Sequence, residues 1–296
     1  MIRRRQFLQI IGGGALFSGF LGGYALALEP RYRLQVSRYR IRTPRLAALA
    51  SANNRPLRIA ALADFHACEP WMPVSRIEHI VDRTNALAPD LIVLLGDYVA
   101  GISRFRTALV PMRDWSRALS GLQAPLGTYA ILGNHDWWVD GPETRGYLEK
   151  AGIPVLHNGV AAVELAGGKR LWLAGLGDQR AIPLGRGRFR GVDDLEGTLR
   201  QISDATSPAV LLAHEPDIFP NVPARIDLTL SGHTHGGQVR LPLVGAPVVP
   251  SRYGQRYAHG HIVEDKRDMV VSGGLGCSVL PVRFGVPPEI VVIELG

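Results

Sequence analysis

Five short apolar runs in this chain end on metal-seeking side chains: Ile59 to Ala63, Leu91 to Leu95, Tyr129 to Leu132, Ala209 to Leu212 and Leu228 to Leu230. In the same order, the residues that follow are Asp64-Phe65-His66, Gly96-Asp97, Gly133-Asn134-His135-Asp136, His214 and Gly232-His233-Thr234-His235. Short apolar runs bounded by turn formers read as buried strands, so each cluster sits where a strand ends. Alternate residues of an extended segment point the same way, which predicts that Asp64 and His66 converge on one ion, as do His233 and His235. Glycines at 96, 133 and 232 let the backbone turn where a Cβ would crowd the approach. Mixed oxygen and nitrogen donors favour manganese, iron or zinc over calcium or magnesium. The whole reads as a two-metal hydrolase site.

Between these points the chain alternates strand and helix signals. The pattern predicts a strand at Leu57 to Ala63, a helix near Val74 to Leu87, a strand at Leu91 to Leu95 and a helix near Phe105 to Leu119. A helix near Glu143 to Ala151, strands near Val155 and Leu171 to Ala174, and a helix around Asp193 to Ile202 follow. Beyond Gly232 the pattern turns mostly to strands, ending in Glu289 to Leu295. The fold class is α/β. With 46% hydrophobic and 20% charged residues in 296, the chain is long enough for one enzyme domain with a sizeable core. The expected division is 1–27 as a signal or anchor, 28–56 as a basic strand or linker, and 57–296 as the catalytic domain.

The N-terminus carries Arg4-Arg5-Gln6-Phe7-Leu8 ahead of an apolar, glycine-rich run from Ile10 to Leu28. This resembles a twin-arginine export signal, with Arg3 in place of the usual Ser or Thr and Gln9 in place of the frequent Lys. Ala25-Leu26-Ala27 offers a cleavage site; the alternative is a plain membrane anchor, since the run is nearly long enough to span a bilayer. Six glycines and Ser18 make the run weakly hydrophobic, which fits an export signal better. Location at the periplasm, or at the outer face of the cytoplasmic membrane, is then expected, with the export machinery as a partner. Cleavage and retention both remain open.

The formal charge of +7 is diffuse and partly due to Arg3, Arg4 and Arg5. It suits an anionic substrate or an anionic membrane surface, and no nucleic-acid module accompanies it. From Arg31 to Arg45, arginines interleave with Tyr32, Leu34, Val36, Tyr39 and Ile41. That alternation favours an edge strand with its arginines outward over a patch lying on lipid heads, and the two are compatible.

Taken together, the five motifs resemble those of the calcineurin-like metallophosphoesterase superfamily: Asp-x-His, Gly-Asp, Gly-Asn-His-Asp/Glu, a lone His and Gly-His-x-His, over roughly Leu57 to Leu295. The resemblance implies a two-sheet sandwich flanked by helices. It also implies that Asp64, His66, Asp97 and His235 hold one metal while Asn134, His214 and His233 hold the second, with Asp97 bridging. The cofactors would be two divalent or mixed-valence ions of manganese, iron or zinc. In such a site a metal-bridging hydroxide attacks phosphorus, and His135, not itself a ligand, stabilises or protonates the leaving oxygen. Many relatives place an aspartate three residues after the Gly-Asp carboxylate to orient that histidine; here the position is Ala100. Another group then holds His135, or it acts only as a hydrogen-bond donor.

Gly236 to Val239, and Pro281-Val282-Arg283-Phe284 ahead of Pro287-Pro288, look like the bacterial branch of exported or membrane-associated phosphodiesterases. Arg283 is a candidate to pair with a phosphate oxygen, or else a loop brace. Trp137 and Trp138 line a groove for a lipid or aromatic leaving group, or pack in the core. His259 and His261 lack a third ligand and read as structural, as do His79 and His157; Cys68 and Cys277 read as free thiols, with a disulfide between them as the alternative in an exported protein. The expected activity is hydrolysis of a phosphodiester or pyrophosphate, lipid- or envelope-linked substrates being compatible. A phosphomonoesterase is the alternative, and a noncatalytic scaffold of the same fold is disfavoured because every ligand is present.

Overall fold

The computed structural model describes residues 19–49, 55–99, 107–204 and 206–296. Uninterrupted runs of Leu, Val, Ile and Ala form parallel strands buried on both faces, and these build two facing sheets. The strands are β1 (Gln35–Ile41), β2 (Leu57–Leu62), β3 (Leu91–Leu94), β4 (Thr128–Ala130), β5 (Gly159–Glu164), β6 (Arg170–Gly175), β7 (Ala209–Leu212), β8 (Leu228–Ser231), β9 (Gly260–Glu264), β10 (Arg267–Val271) and β11 (Glu289–Leu295). The first sheet has the order β1-β11-β2-β3-β4, and the second β9-β10-β8-β7-β6-β5. In the first, Ala61 lies opposite both Val93 and Val291; in the second, Leu211 lies opposite Ala174 and Thr229.

Side chains alternate along β2, as the period of a strand requires. Ile59 and Ala61 join Val93, Val291, Leu173, Val210, Leu212 and Leu230 between the sheets. Ala60 and Leu62 face the other way, under the helices. The helices that flank the sheets are α1 (Val74–Asn85), α2 (Met112–Leu119), α3 (Asn134–Lys150) and α4 (Leu195–Arg200). Ile77 and Ile80 of α1, Trp115 and Leu119 of α2 and Leu148 of α3 cover the first sheet. Leu199 of α4, with Phe219 and Tyr257, covers the second. The two-layer sandwich with flanking helices is the architecture expected.

Several boundaries differ from the sequence reading. The second helix begins at Met112, because Pro111 sits just ahead of it with extended backbone (φ −57, ψ 142) and cannot lie in a helix interior; Phe105 is outside the described residues. The third starts at Asn134, nine residues early, and breaks at Asp140 (φ −165, ψ 93), whose Oδ1 then caps the second segment by accepting from Glu143 N at 2.9 Å. Val155 forms only an isolated bridge to Ala130. The basic stretch is an integral edge strand, β1, pairing with β11, with Arg38 and Arg40 exposed and Arg40 ion-paired to Glu294 at 2.8 Å.

The Arg3-Arg4-Arg5 signal lies outside the described residues. Ala25-Leu26-Ala27 falls in a helical turn, Tyr24–Leu28, that docks on the domain: Ala25 O accepts from Arg283 N at 2.9 Å, and Leu26 O from Trp71 Nε1 at 3.1 Å. Glu29 is buried and accepts from Val286 N at 2.8 Å. No helix among the described residues is long and apolar enough to cross a membrane.

Candidate metal centre

All five motifs meet at the carboxyl ends of the strands, where α/β sheets commonly collect ligands. The loops after β2 and β3 bring Asp64, His66 and Asp97, and the first turn of α3 brings Asn134, so the first sheet supplies these four. The loops after β7 and β8 in the second sheet supply His214, His233 and His235.

The convergence does not come from strand alternation, as the sequence reading supposed. Asp64 (φ 56), His66 (φ 46), Asp97 (φ 59), His233 (φ 68) and His235 (φ 51) all adopt the left-handed conformation, which costs of order 1–3 kcal/mol for each such residue. Each loop swings its donors inward after the strand has ended. Neighbouring loops hold the strain: Asp64 N donates to Gly96 O and His66 N to Asp97 O, both at 3.0 Å, and Gly232 N to His214 O at 3.0 Å. Gly96 (φ 94) and Gly133 lie so close that a Cβ on Gly96 would sit 2.8 Å from Gly133 Cα. A Cβ on Gly133 would run into Asp97 Oδ1 and lie 2.7 Å from the His214 ring.

Three overlapping donor groups form among the described residues, one of them His66, Asp97 and His135, and Asp97 belongs to two of the three. Asp64, His66 and His235 bring donor atoms within 4.8 Å of one another, as do Asp97, His214 and His233. His66 Nε2 is 3.0 Å from His235 Nε2. Asp97 Oδ2 stands 3.5 Å from His66 Nε2 and 3.2 Å from His214 Nε2, between the groups. His66 Nδ1 donates to Val99 O at 3.0 Å and His214 Nδ1 to Leu95 O at 2.6 Å, which orients each Nε2 inward. The buried Asn134 Oδ1 has no hydrogen-bond partner. A buried amide oxygen left unpaired is costly, and a cation among these donors satisfies it.

The electrostatics fit the same occupant. Burial brings His66 down to about 3 and holds His233 and His235 well below the ordinary histidine value. These three imidazoles are therefore held neutral, as metal ligands must be; His214 differs, because although burial lowers it, Asp97 beside it raises its pKa well above the ordinary value. Burial pushes Asp64 up to about 7, against the pull of His214. Burial would raise Asp97 too, but His214, His135 and His66 around it hold it well below the usual carboxylate range.

Around the donors, His135 is half-buried; its N donates to Asp97 Oδ1 at 2.9 Å, and its Nε2 lies 3.3 Å from Ser278 Oγ. Its ring packs on Trp138 at 4.7 Å. Burial lowers its pKa. Ala100 is outside the described residues, and Ser278 is the group that holds His135. Asp136, in the same motif but given no role by the sequence, accepts from Gly133, Asp97, Tyr98 and Val99 N–H groups at 2.8 to 3.2 Å and so locks two metal loops together.

Arg283 corrects an expectation. It is fully buried, donating to the carbonyls of Gly276, Gly273 and Val286 at 2.8–2.9 Å, with Nη2 3.3 Å from His235 Nδ1. It braces the loop under His235 and does not reach the cleft, so it is no phosphate clamp. The cleft cation is instead Arg180, which lines the opening, lies 3.5 Å from His233 Nε2 and stacks on Phe189 at 4.2 Å. It was missed, although Asp178 to Arg180 follow the end of β6 much as the motifs follow theirs. The tryptophans divide: Trp137 packs against the core and Trp138 lines the cleft. His259 bonds Glu289 at 2.8 Å and His261 bonds Asp268 at 2.6 Å, and neither joins a donor group. Cys68 and Cys277 are buried free thiols packed with Trp71.

The sequence pattern described as calcineurin-like phosphoesterase matches residues 57–237. Phosphodiesterase YaeI of Escherichia coli (strain K12) is 35% identical, covering 100% of both chains. An uncharacterized metallophosphoesterase of Bacillus subtilis (strain 168), YkuE, is 32% identical over 99% of this chain and 97% of its own. The structure of a 5'-nucleotidase precursor from Thermus thermophilus superposes with a TM-score of 0.49 at 17% identity, covering 74% of this chain and 49%, about half, of that one.

Proposed function

Because this chain belongs to the calcineurin-like phosphoesterase family and is a metal-dependent phosphoric ester hydrolase, we propose that it cleaves a phosphodiester or pyrophosphate using two metal ions. The observation that carries this is the shared carboxylate: Asp97 stands between two buried donor groups, His66 and His214 within 3.5 Å of one oxygen, beside the unpartnered Asn134 Oδ1. Asp64, His66, Asp97 and His235 would hold one ion, and Asn134, His214 and His233, with Asp97, the other. When bound, such a pair of cations lowers the pKa of a water and clamps phosphoryl oxygens.

The chain's own residues do the rest. His135, on the wall of the cleft and steadied by Ser278 and Trp138, donates to the departing oxygen. Arg180 offers its planar guanidinium to a phosphoryl oxygen and so fixes the ester before attack. The second ester substituent, absent from a monoester, lies along the cleft. YaeI, similar over its whole length, bears the name phosphodiesterase, which supports the diester over the monoester. The Arg4-Arg5 pattern supports export to the periplasmic side; fractionation of cells producing the full chain tests it, and a wholly cytoplasmic protein would sink it.

Hydrolysis of bis- and mono-nitrophenyl phosphates with manganese, iron or zinc tests the activity. Diester cleavage that needs metal and disappears in Asp97→Asn is expected. Preference for the monoester, or activity surviving in Asp97→Asn, would refute the reading.

A further inference from the structure

The cleft beside the metal donors has a volume of about 440 Å³, and its two walls differ in kind. One is the centre itself, with Asp97, Asn134, His135, His233 and His235. The other is apolar: Trp138, Val239, Pro247, Val248, Val279 and Leu280. Trp138 is 37% exposed, Leu280 41%, Val279 47% and Val248 75%. Large apolar side chains standing in water around one opening mark a contact surface. Apart from the ions that the donors would hold, Arg180 is the one Lys or Arg lining this cleft among the described residues.

The apolar wall is built, not incidental. Trp138 Nε1 donates to Arg180 O at 2.9 Å, and its ring stacks on Phe189 at 5.4 Å and meets the tilted His135 ring at 4.7 Å. Gln238 clamps the facing loop: its Oε1 accepts from Ser278 N at 2.6 Å, and its Nε2 donates to Ser278 O at 3.0 Å and Leu280 O at 3.2 Å. Between those two carbonyls Val279 is held at φ 62, a conformation that a β-branched residue adopts only under constraint. The strain is spent on presenting an apolar side chain at the cleft rather than burying it.

We propose that this cleft is a hydrocarbon subsite, and that the phosphoester cleaved here carries an alkyl chain lying between Trp138 and the Val279–Leu280 loop. The inference rests on the phosphoesterase reading and deepens it. His135 touches Trp138, so a leaving group or second substituent that meets His135 continues directly onto the apolar wall. The occupant is thus an amphiphile: a phosphoryl head at the donors and Arg180, and a hydrocarbon tail in the cleft.

Calorimetry of methyl-, butyl- and octylphosphonate, each below its micelle concentration, binding to the manganese-loaded full chain tests this without turnover. Each methylene that enters the cleft should tighten Kd about fourfold until the cleft fills, with a negative heat-capacity change. Val248→Asp should remove most of the octyl gain. An octyl Kd within about threefold of the methyl Kd would overturn the subsite, even if bis-nitrophenyl phosphate is cleaved. Steep tightening without hydrolysis of any ester would instead keep the subsite and overturn the phosphoesterase reading.

Discussion

Arg283 and Arg180 are opposite uses of one side chain, and substitution should separate them. Arg283→Ala leaves the carbonyls of Gly273, Gly276 and Val286 without their donor and removes the brace behind His235. Leaving buried acceptors without their donor costs about 1–3 kcal/mol each, read as a lower midpoint in denaturant unfolding. Arg180→Ala should leave that midpoint nearly unmoved and lower kcat/KM about tenfold or more, as loss of one charge-assisted contact does. A stable Arg283→Ala protein with selective loss of substrate affinity would show that the roles are reversed. His135→Ala should fall about 100-fold or more on a poorly leaving alkyl diester and much less on a nitrophenyl one; equal losses would remove its proton-donating role. The metal donors were legible because each follows an apolar run at fixed spacing. Arg283 was misread because its sequence gives a cation in a loop but not the direction it faces. That direction is set by carbonyls of Gly273 and Gly276, which only the fold brings near. Arg180 obeyed the strand-end rule and was passed over because a lone arginine carries no motif.

The elements that make the site are turns rather than the strands before them. Five donors sit in left-handed backbone, and Gly133 leaves room for the Asp97 carboxylate. Gly133→Ala should therefore displace Asp97 or His214 and lower metal content and activity together, by about 10–100-fold, as loss of a ligand's support does; a fully loaded, active variant would refute the tight approach. The strands were legible from their unbroken apolar runs. The start of α3 was not, because Asn134 to Asp136 look like a loop after a strand, and Gly141-Pro142 conceals the helix on either side. At the metal-site end of the first sheet, where β11 starts beside the end of β2, Glu289 is fully buried. Burial alone would raise its pKa, but hydrogen bonds from His259, Ser37 and Gly273 N–H outweigh that and hold it below 4.5. A depressed carboxyl stabilises the fold above its unfolded pKa and loses that contribution as pH falls through the folded value. Glu289→Gln should thus be about 1–3 kcal/mol less stable at pH 7, with the gap to the wild type closing below about pH 4.5. A gap independent of pH would place the effect in packing instead.

At the scale of the whole molecule, the donors tie two layers together. Asp64, His66, Asp97 and Asn134 come from the first sheet, and His214, His233 and His235 from the second, while Ile59, Val93, Leu212 and Leu230 pack between the sheets below them. Ions held by both sets bind only when the sheets keep this register, so binding energy becomes folding energy. At 100 times Kd a site adds about 2.7 kcal/mol, and each kcal/mol moves Tm by about 2–4 °C in a domain approaching this size. Two occupied sites should therefore raise Tm by about 10–20 °C, and a chelator should lower it by as much. Because the inter-sheet core is continuous, melting should remain a single calorimetric transition in both states. Asp97→Asn, which weakens both donor groups at once, should melt near the chelated wild type and respond little to chelator. If the chelated protein instead melted in two steps, the layers would be independent folding units joined mainly by metal, and the apolar core between the sheets would be weaker than its burial indicates.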